Sequence, residues 1–283
     1  MELNDERWDT IITPQTKILD LRLREVIRYR DLVWLFIKRD FTTVYKQTIL
    51  GPIWFILNPL FSTIIYSLVF GSLAKIGTDG IPYLLFYYGG SMLWTYFSAC
   101  FTDASNVFSN NVNLFGKVYF PRLTVPLSRV FSNMITTLIQ FATLMCFYVF
   151  YLVTGTDINP QWWALAFPLL FIWIAMFATG IGMLISSLTT KYRDLKQLVM
   201  FGLSLAMYAT PIVYPLSQVP DKFRWVFYLN PLSAPIELFR LWFYGAGFVP
   251  PPMICLSIGL TLFFFLLGLI MFNRNERTFV DVI

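Results

Sequence analysis

The sequence predicts an all-α integral membrane protein with six transmembrane helices. Three observations predict it. Hydrophobic residues make up 57% of the 283 positions and charged residues only 13%, against about 25% charge in an ordinary soluble domain. The windows 47–74, 80–102, 130–156, 158–190, 197–220 and 241–273 contain no Asp, Glu, Lys or Arg. Each is long enough for a helix that needs about 20 apolar residues to cross the bilayer core. The Lys and Arg residues then divide 17 to 4 between the two sides, which places both termini in the cytoplasm by the positive-inside rule.

Composition removes several function classes. With no His, there is no imidazole base or His-based metal site. Cys100, Cys146 and Cys255 all lie in apolar windows and form no CxxC motif. No metal site is expected. No secretory signal peptide is expected either, because the first 46 residues carry charges throughout. The net charge of +5 reads as basic cytoplasmic loops rather than a nucleic-acid surface. No ionisable residue lies mid-span, which disfavours a proton- or ion-coupled carrier. No G-x-x-x-x-G-K-[ST] phosphate cradle is present, so an ATPase would have to be a separate chain.

The elements follow in order. Residues 1–50 form a cytoplasmic segment with an amphipathic interface helix over 17–46. There Leu23, Val26, Ile27, Leu32, Leu35 and Phe36 fall near helical spacing among charges, the pattern of a helix lying in the membrane interface. Gly51-Pro52 turns it into a six-span domain, 51–273. The spans are expected at about 51–73, 81–102, 130–153, 161–189, 197–214 and 252–272. Polar stripes recur at helical spacing in four of them: Trp54, Asn58, Ser62 and Tyr66; Ser91, Thr95, Ser98 and Thr102; Asn133, Thr136, Thr137 and Gln140; Gln197, Ser204, Tyr208 and Pro211. Such stripes serve either as interhelical hydrogen bonding or as the wall of a polar conduit. Ala175, Thr179, Gly182 and Ser186 form a small-residue seam suited to close helix packing.

Loop 103–129 is Asn-rich and ends in two prolines. A short helix over about 104–114 is expected to project from the bundle and dock a cytoplasmic partner. Residues 215–250 are too aromatic for a water-exposed loop, and Asn230-Pro231 divides them. Two short, half-inserted helices at the outer leaflet are expected, with Glu237 and Arg240 paired three residues apart. Residues 274–283 form a cytoplasmic tail.

Four stretches carry a family resemblance: RDFTTVYKQTILGPIWFILNPL (39–60), NLFGKVYFPRLTVPLSR (113–129), YLNPLSAPIELFR (228–240) and the ending ERTFVDVI. Together they resemble the permease subunit of ABC-2 type polysaccharide exporters, which include the O-antigen, capsule and teichoic-acid exporters. The O-antigen type is the most similar. The resemblance implies an ABC-2 (type V) exporter fold that works as a homodimer above a dimer of a cytoplasmic ABC ATPase. The substrate it implies is a polysaccharide on a polyprenyl pyrophosphate lipid, crossing the inner membrane between protomers along spans 1, 2 and 5. ATP and Mg belong to the partner subunit, and this chain needs no cofactor. Membrane lipids are the remaining partner, and nucleic acid is not one.

Carried onto this sequence, the resemblance assigns ATPase coupling to Asn106, Val107, Phe108, Asn110, Asn111 and Asn113, with a lesser contact around Arg193. Trp225, Tyr228, Glu237 and Arg240 fall in the outer gate helices. Aromatic rings and hydroxyls suit the two faces of a sugar, so Trp54, Asn58, Tyr66, Trp94, Tyr208 and Tyr214 are the conduit-lining candidates. Arg39 and Lys46 are placed to hold a pyrophosphate, or to act only as interfacial anchors. Two rivals stay open. One is an ABC-2 permease for another substrate, such as capsule, teichoic acid, a drug or a lipid. The other is a six-span glycan-processing enzyme, although Asp40, Asp103 and Asp194 are single and scattered along the chain.

Overall fold

A computed structural model describes residues 23–46, 51, 53–115, 120–156, 158–189 and 194–282, without the side chains of 23, 24, 44–46, 112, 113 and 276–282. The described residues form helices and turns, with no strand among them. The order is α1 (Leu23–Arg28), α2 (Arg30–Lys46) and α3 (Ile53–Tyr66), which continues as a π-helical stretch, Ser67–Leu73. Then come α4 (Tyr83–Ser105), the one-turn helices α5 (Val107–Asn110) and α6 (Val112–Phe115), and α7 (Thr124–Val153). A 3-10 turn, Trp162–Ala166, leads into α8 (Phe167–Thr189) and then α9 (Leu195–Tyr208). The short α10 (Asp221–Leu229) and α11 (Ser233–Tyr244) precede α12 (Pro251–Val282).

Four segments are long and apolar enough to cross a membrane: Ile53–Leu73, Thr124–Val153, Trp162–Thr189 and Pro251–Asn275. α4 has the length, 23 residues, but Gly89, Gly90, Ser91, Thr95, Ser98 and Thr102 dilute its apolar character. α9 has 14 residues, about 21 Å of helix. The fifth apolar window is therefore helical only to Tyr208, not to 214. Pro211 has no N–H to bond the Met207 carbonyl, and 209–215 turn instead. α7 starts at Thr124, six residues inside the expected loop, because Pro126 fits a first helical turn. α12 starts on Pro251-Pro252 for the same reason and runs on through 274–282, where a separate tail was expected.

α8 occupies the middle of the bundle, packed between α4 and α12. The close approach comes from glycine. A Cβ on Gly182 would lie 2.5 Å from the Ala104 Cβ and 2.9 Å from the Phe101 carbonyl oxygen of α4. One on Gly180 would lie 2.6 Å from the Phe265 Cα of α12, and one on Gly268 would strike the Gly180 carbonyl. Ala175, Thr179 and Ser186 of the expected seam are buried with them. Aromatic rings fill the space around this axis: Tyr96 meets Phe171 edge-on at 5.6 Å, and Phe97 stacks on Phe177 at 5.7 Å.

α3 joins the bundle through a local defect. Pro59 sits inside it, so the Phe55 carbonyl loses its helical donor. The buried Gln140 amide of α7 donates to that carbonyl at 3.2 Å. In a bilayer such a freed group must find a protein partner. α2 lies along α7 and buries Val33, Phe36 and Ile37. Ile27 and Leu35, expected on the same apolar face, point outward with Trp34.

Gly180→Ala and Gly182→Ala are each expected to destabilise the bundle by about 1–3 kcal/mol through overpacking. Gly259→Ala, where a Cβ meets nothing within 4 Å, is the control. Thermal unfolding in detergent checks this; equal midpoints for all three variants would remove the glycine seam as the packing constraint.

Candidate functional site

The polar face of α4 opens onto a groove against α7. It is an open groove of about 550 Å³, lined by Trp94, Thr95, Ser98, Ala99, Thr102 and Asp103 of α4, with Arg129 and Asn133 of α7. The lining follows from helical periodicity: residues 91, 94–95, 98 and 102 share a stripe. Asn133 Nδ2 donates to Asp103 Oδ2 at 2.9 Å. Arg129 Nη1 pairs with Asp40 Oδ2 at 3.1 Å. On the other oxygen of Asp40, Arg39 donates from Nε and Nη2 at 3.0 and 2.9 Å. α2 is thus tied by charge to the mouth of the groove.

Asp103, Arg129 and Asp40 were not among the expected site residues. Asp40 and Asp103 stand 63 positions apart in the chain and look unrelated there. The available signal was the shared polar stripe of Ser98, Thr102 and Asn133, which marked the two faces that meet. Arg39, an expected pyrophosphate ligand, is half-exposed and engaged with Asp40. Lys46 ends α2, and its side chain lies outside the described residues.

The conduit candidates separate into groups. Trp54 and Asn58 are exposed on α3. Tyr66 packs edge-on against Tyr87 at 6.4 Å, and its hydroxyl points at Met207 Sδ of α9. Tyr208 is 61% exposed, and the Tyr214 hydroxyl donates to its carbonyl at 2.6 Å. Trp94 stands apart from these in the α4–α7 groove, its ring 5.4 Å from Phe97.

The coupling stretch differs from the expected projecting helix. α4 runs on to Ser105, and two single turns follow. Val107 and Phe108 are buried, with Phe108 stacked 4.8 Å from Phe272 of α12. Two apolar side chains in a polar stretch find the bundle rather than a partner. Asn106 is buried too and donates to the Thr102 carbonyl at 2.8 Å. Asn111 donates to the Val107 carbonyl at 2.8 Å. The outward surface is Ser109 and Asn110. The Asn113 side chain and all of Arg193 lie outside the described residues.

At the opposite end, α10 and α11 differ in kind. α10 exposes Trp225, Phe223 and Leu229, and Tyr228 is half-buried. α11 is sunk into the bundle, with Glu237 0% and Arg240 2% exposed. The expected pair forms, Arg240 Nη1 to Glu237 Oε1 at 2.7 Å, but as a buried staple rather than a surface contact. Arg240 Nη2 donates to the Ile212 carbonyl at 3.0 Å, and its guanidinium lies 3.8 Å above the Phe86 ring of α4. Glu237 accepts from the backbone N–H of Leu216 at 3.3 Å and of Phe248 at 3.2 Å. Burial lowers the Arg240 pKa and Glu237 opposes that; guanidinium still stays charged. Gly245 ends α11 in the left-handed conformation, φ 73°.

A bundle of apolar helices, a polar groove at one end and the sunken α11 at the other describe a membrane transport subunit. Residues 31–244 match the model of the ABC-2 type transporter family, and the chain belongs to that family. It is 29% identical over 254 residues to an O-antigen export system permease protein RfbA of Klebsiella pneumoniae, covering 89% of this chain and 95% of that one. It is 26% identical over 226 residues to the Myxococcus xanthus protein of the same name, covering 78% and 84%.

Glu237→Ala leaves the Arg240 charge buried without its partner and is expected to cost about 3–5 kcal/mol. The apolar double replacement Glu237→Leu with Arg240→Met should recover much of that loss. Unfolding midpoints of the purified chain decide; a single variant as stable as the parent would show that the staple does not hold α11.

Proposed function

We propose that the chain is the channel-forming subunit of an ATP-driven exporter for a polyprenyl-pyrophosphate-linked polysaccharide of the O-antigen class. It works as a homodimer in the cytoplasmic membrane, with a separate ABC ATPase dimer that carries ATP and Mg. Six passes are formed by Ile53–Leu73, α4, α7, Trp162–Thr189, α9 with its following turn, and α12. Both termini are cytoplasmic. The single observation that carries the reading is the polar face of α4, where the hydroxyls of Thr95, Ser98 and Thr102 line a groove beside Trp94. A sugar polymer needs exchangeable hydroxyl partners and aromatic faces across about 30 Å of hydrocarbon, and weak repeated sites permit movement. The names of the curated relatives support the same substrate class.

On this reading Trp54, Asn58, Tyr66, Trp94, Tyr208 and Tyr214 contribute to the conduit. α10 and α11 close its outer end, and Ser109 with Asn110 meets the ATPase. Gentle purification of the tagged chain from its host, with mass spectrometry of bound protein and glycan, tests it. A stoichiometric ATPase with a lipid-linked polymer is the expected result. An ATPase carrying another cargo overturns the substrate, and no ATPase overturns the exporter. Asn110→Trp is expected to reduce ATPase recovery about tenfold, the effect of losing roughly 1.4 kcal/mol of docking energy, at unchanged chain level. Full recovery would move the docking surface elsewhere. Cysteines at Lys75 and Asp221, both exposed, should react with an impermeant maleimide on intact spheroplasts; reaction only after permeabilisation would invert the topology.

A further inference from the structure

The α4–α7 groove has a chemistry of its own. Asp103 accepts a single side-chain hydrogen bond, from Asn133 at 2.9 Å, whereas an ionised carboxylate has about four acceptor positions. The Arg129 charge that could neutralise a bound anion is directed to Asp40 at 3.1 Å. An anionic ligand would therefore face a carboxylate with unused acceptor capacity. A metal ion would need more donors, and among the described residues no three acidic, Cys or His groups gather. A purely apolar ligand would strand Asp103, Asn133, Thr102 and Ser98 without water. What matches is a ligand with adjacent hydroxyls and one C–H face. The hydroxyls donate to Asp103 and exchange hydrogen bonds with Asn133, Ser98 and Thr102, while the C–H face lies on Trp94. The groove is open along one side, and its volume of about 550 Å³ falls within the roughly 300–1,000 Å³ of ordinary small-ligand sites.

We propose that this groove is a saccharide subsite, in which Asp103 and Asn133 grip neighbouring hydroxyls of one sugar ring and Trp94 supports its face. The inference rests on the exporter reading and adds where the polymer is first held, at the end of α4 tied to α2. Asp103 and Asn133 are binding residues; Arg129 is a positioning residue that acts through Asp40.

The test is photo-capture in cells making the host glycan, with the full chain and its ATPase. Ala99 lines the groove and Tyr208 stands exposed on α9; each is replaced in turn, Ala99→p-benzoylphenylalanine and Tyr208→p-benzoylphenylalanine. After irradiation, a glycan ladder on the tagged chain is expected at both positions. Asp103→Asn keeps the side-chain size and removes the charge, and should lower capture at 99 about tenfold through loss of a charge-assisted hydrogen bond. Trp94→Leu removes the ring alone and should lower it as well. A ladder at 208 with none at 99 overturns the subsite and leaves the exporter standing. Parental capture at 99 by either variant, at normal chain level, also overturns it. No ladder at either position overturns the exporter reading and the subsite with it.

Discussion

Everything else in the bundle is referenced to the contact of α8 with its two neighbours. In lipid there is little hydrophobic force between helices, and association relies on close van der Waals fit. Gly182 lets the backbone of α8 reach Phe101 and Ala104 of α4, while Gly180 and Gly268 bring α8 and α12 together on the other side. That contact sets where α4 lies, and so where the groove face of Ser98, Thr102 and Asp103 lies. It also places Phe272 of α12, against which Phe108 stacks. The stretch leading to Asn110 therefore takes its position from the same axis, and a tilt of α8 would be felt at both the groove and the outward turn.

The far end of α4 repeats the device. At Gly89 a Cβ would lie 3.0 Å from the Phe239 ring of α11, and at Gly90 the same distance from the Ile212 carbonyl. These two glycines let α11 settle into the bundle, where the Arg240 guanidinium covers Phe86. Burying a charge is costly unless it is paired and hydrogen-bonded. Here Glu237, Ile212, Leu216 and Phe248 supply those bonds. The segment after α9 and the loop after α11 are thereby fixed to one helix. Asp79 extends the network outward by accepting from Ser217 at 2.7 Å, joining the loop between α3 and α4 to the same assembly.

The apolar segments, the aromatic character of 215–250 and the small-residue seam through Gly182 were legible in the sequence because each is a matter of composition or helical phase; Gly180 and Gly268, which make the contact with α12, lay outside that seam. The Glu237–Arg240 pair was legible as well, from its three-residue spacing. Its burial was not, because nothing local to α11 reports that Ile212 and Phe248 return over it. The coupling stretch misled for a related reason: the asparagine-rich residues from about 104 to 114 read as a short projecting helix, yet Val107 and Phe108 are buried, and Phe272, on which Phe108 stacks, lies 164 positions away. The early end of α9 could have been read from Pro211. Asp40 and Asp103 could not be joined from sequence, since only the packing of α2 along α7 brings their environments together.

On the proposed exporter reading, that junction bears on how the groove would hold a polymer and still release it. Both arginines, Arg129 and Arg39, meet Asp40, while the Asp103 carboxylate accepts a hydrogen bond from the neutral Asn133 amide. A site with a surplus positive charge would trap a pyrophosphate, and one with several free carboxylates would trap cations. A single carboxylate, an amide, hydroxyls and an indole give contacts that are each modest and exchangeable. Arg129 reaches the groove from α7 while its counter-ion, Asp40, sits on α2, so the lining depends on the packing of α2 against α7 as well as on α4. α2 and the groove are thereby one packed unit, in which the ion pair to Asp40 fixes the direction of the Arg129 guanidinium.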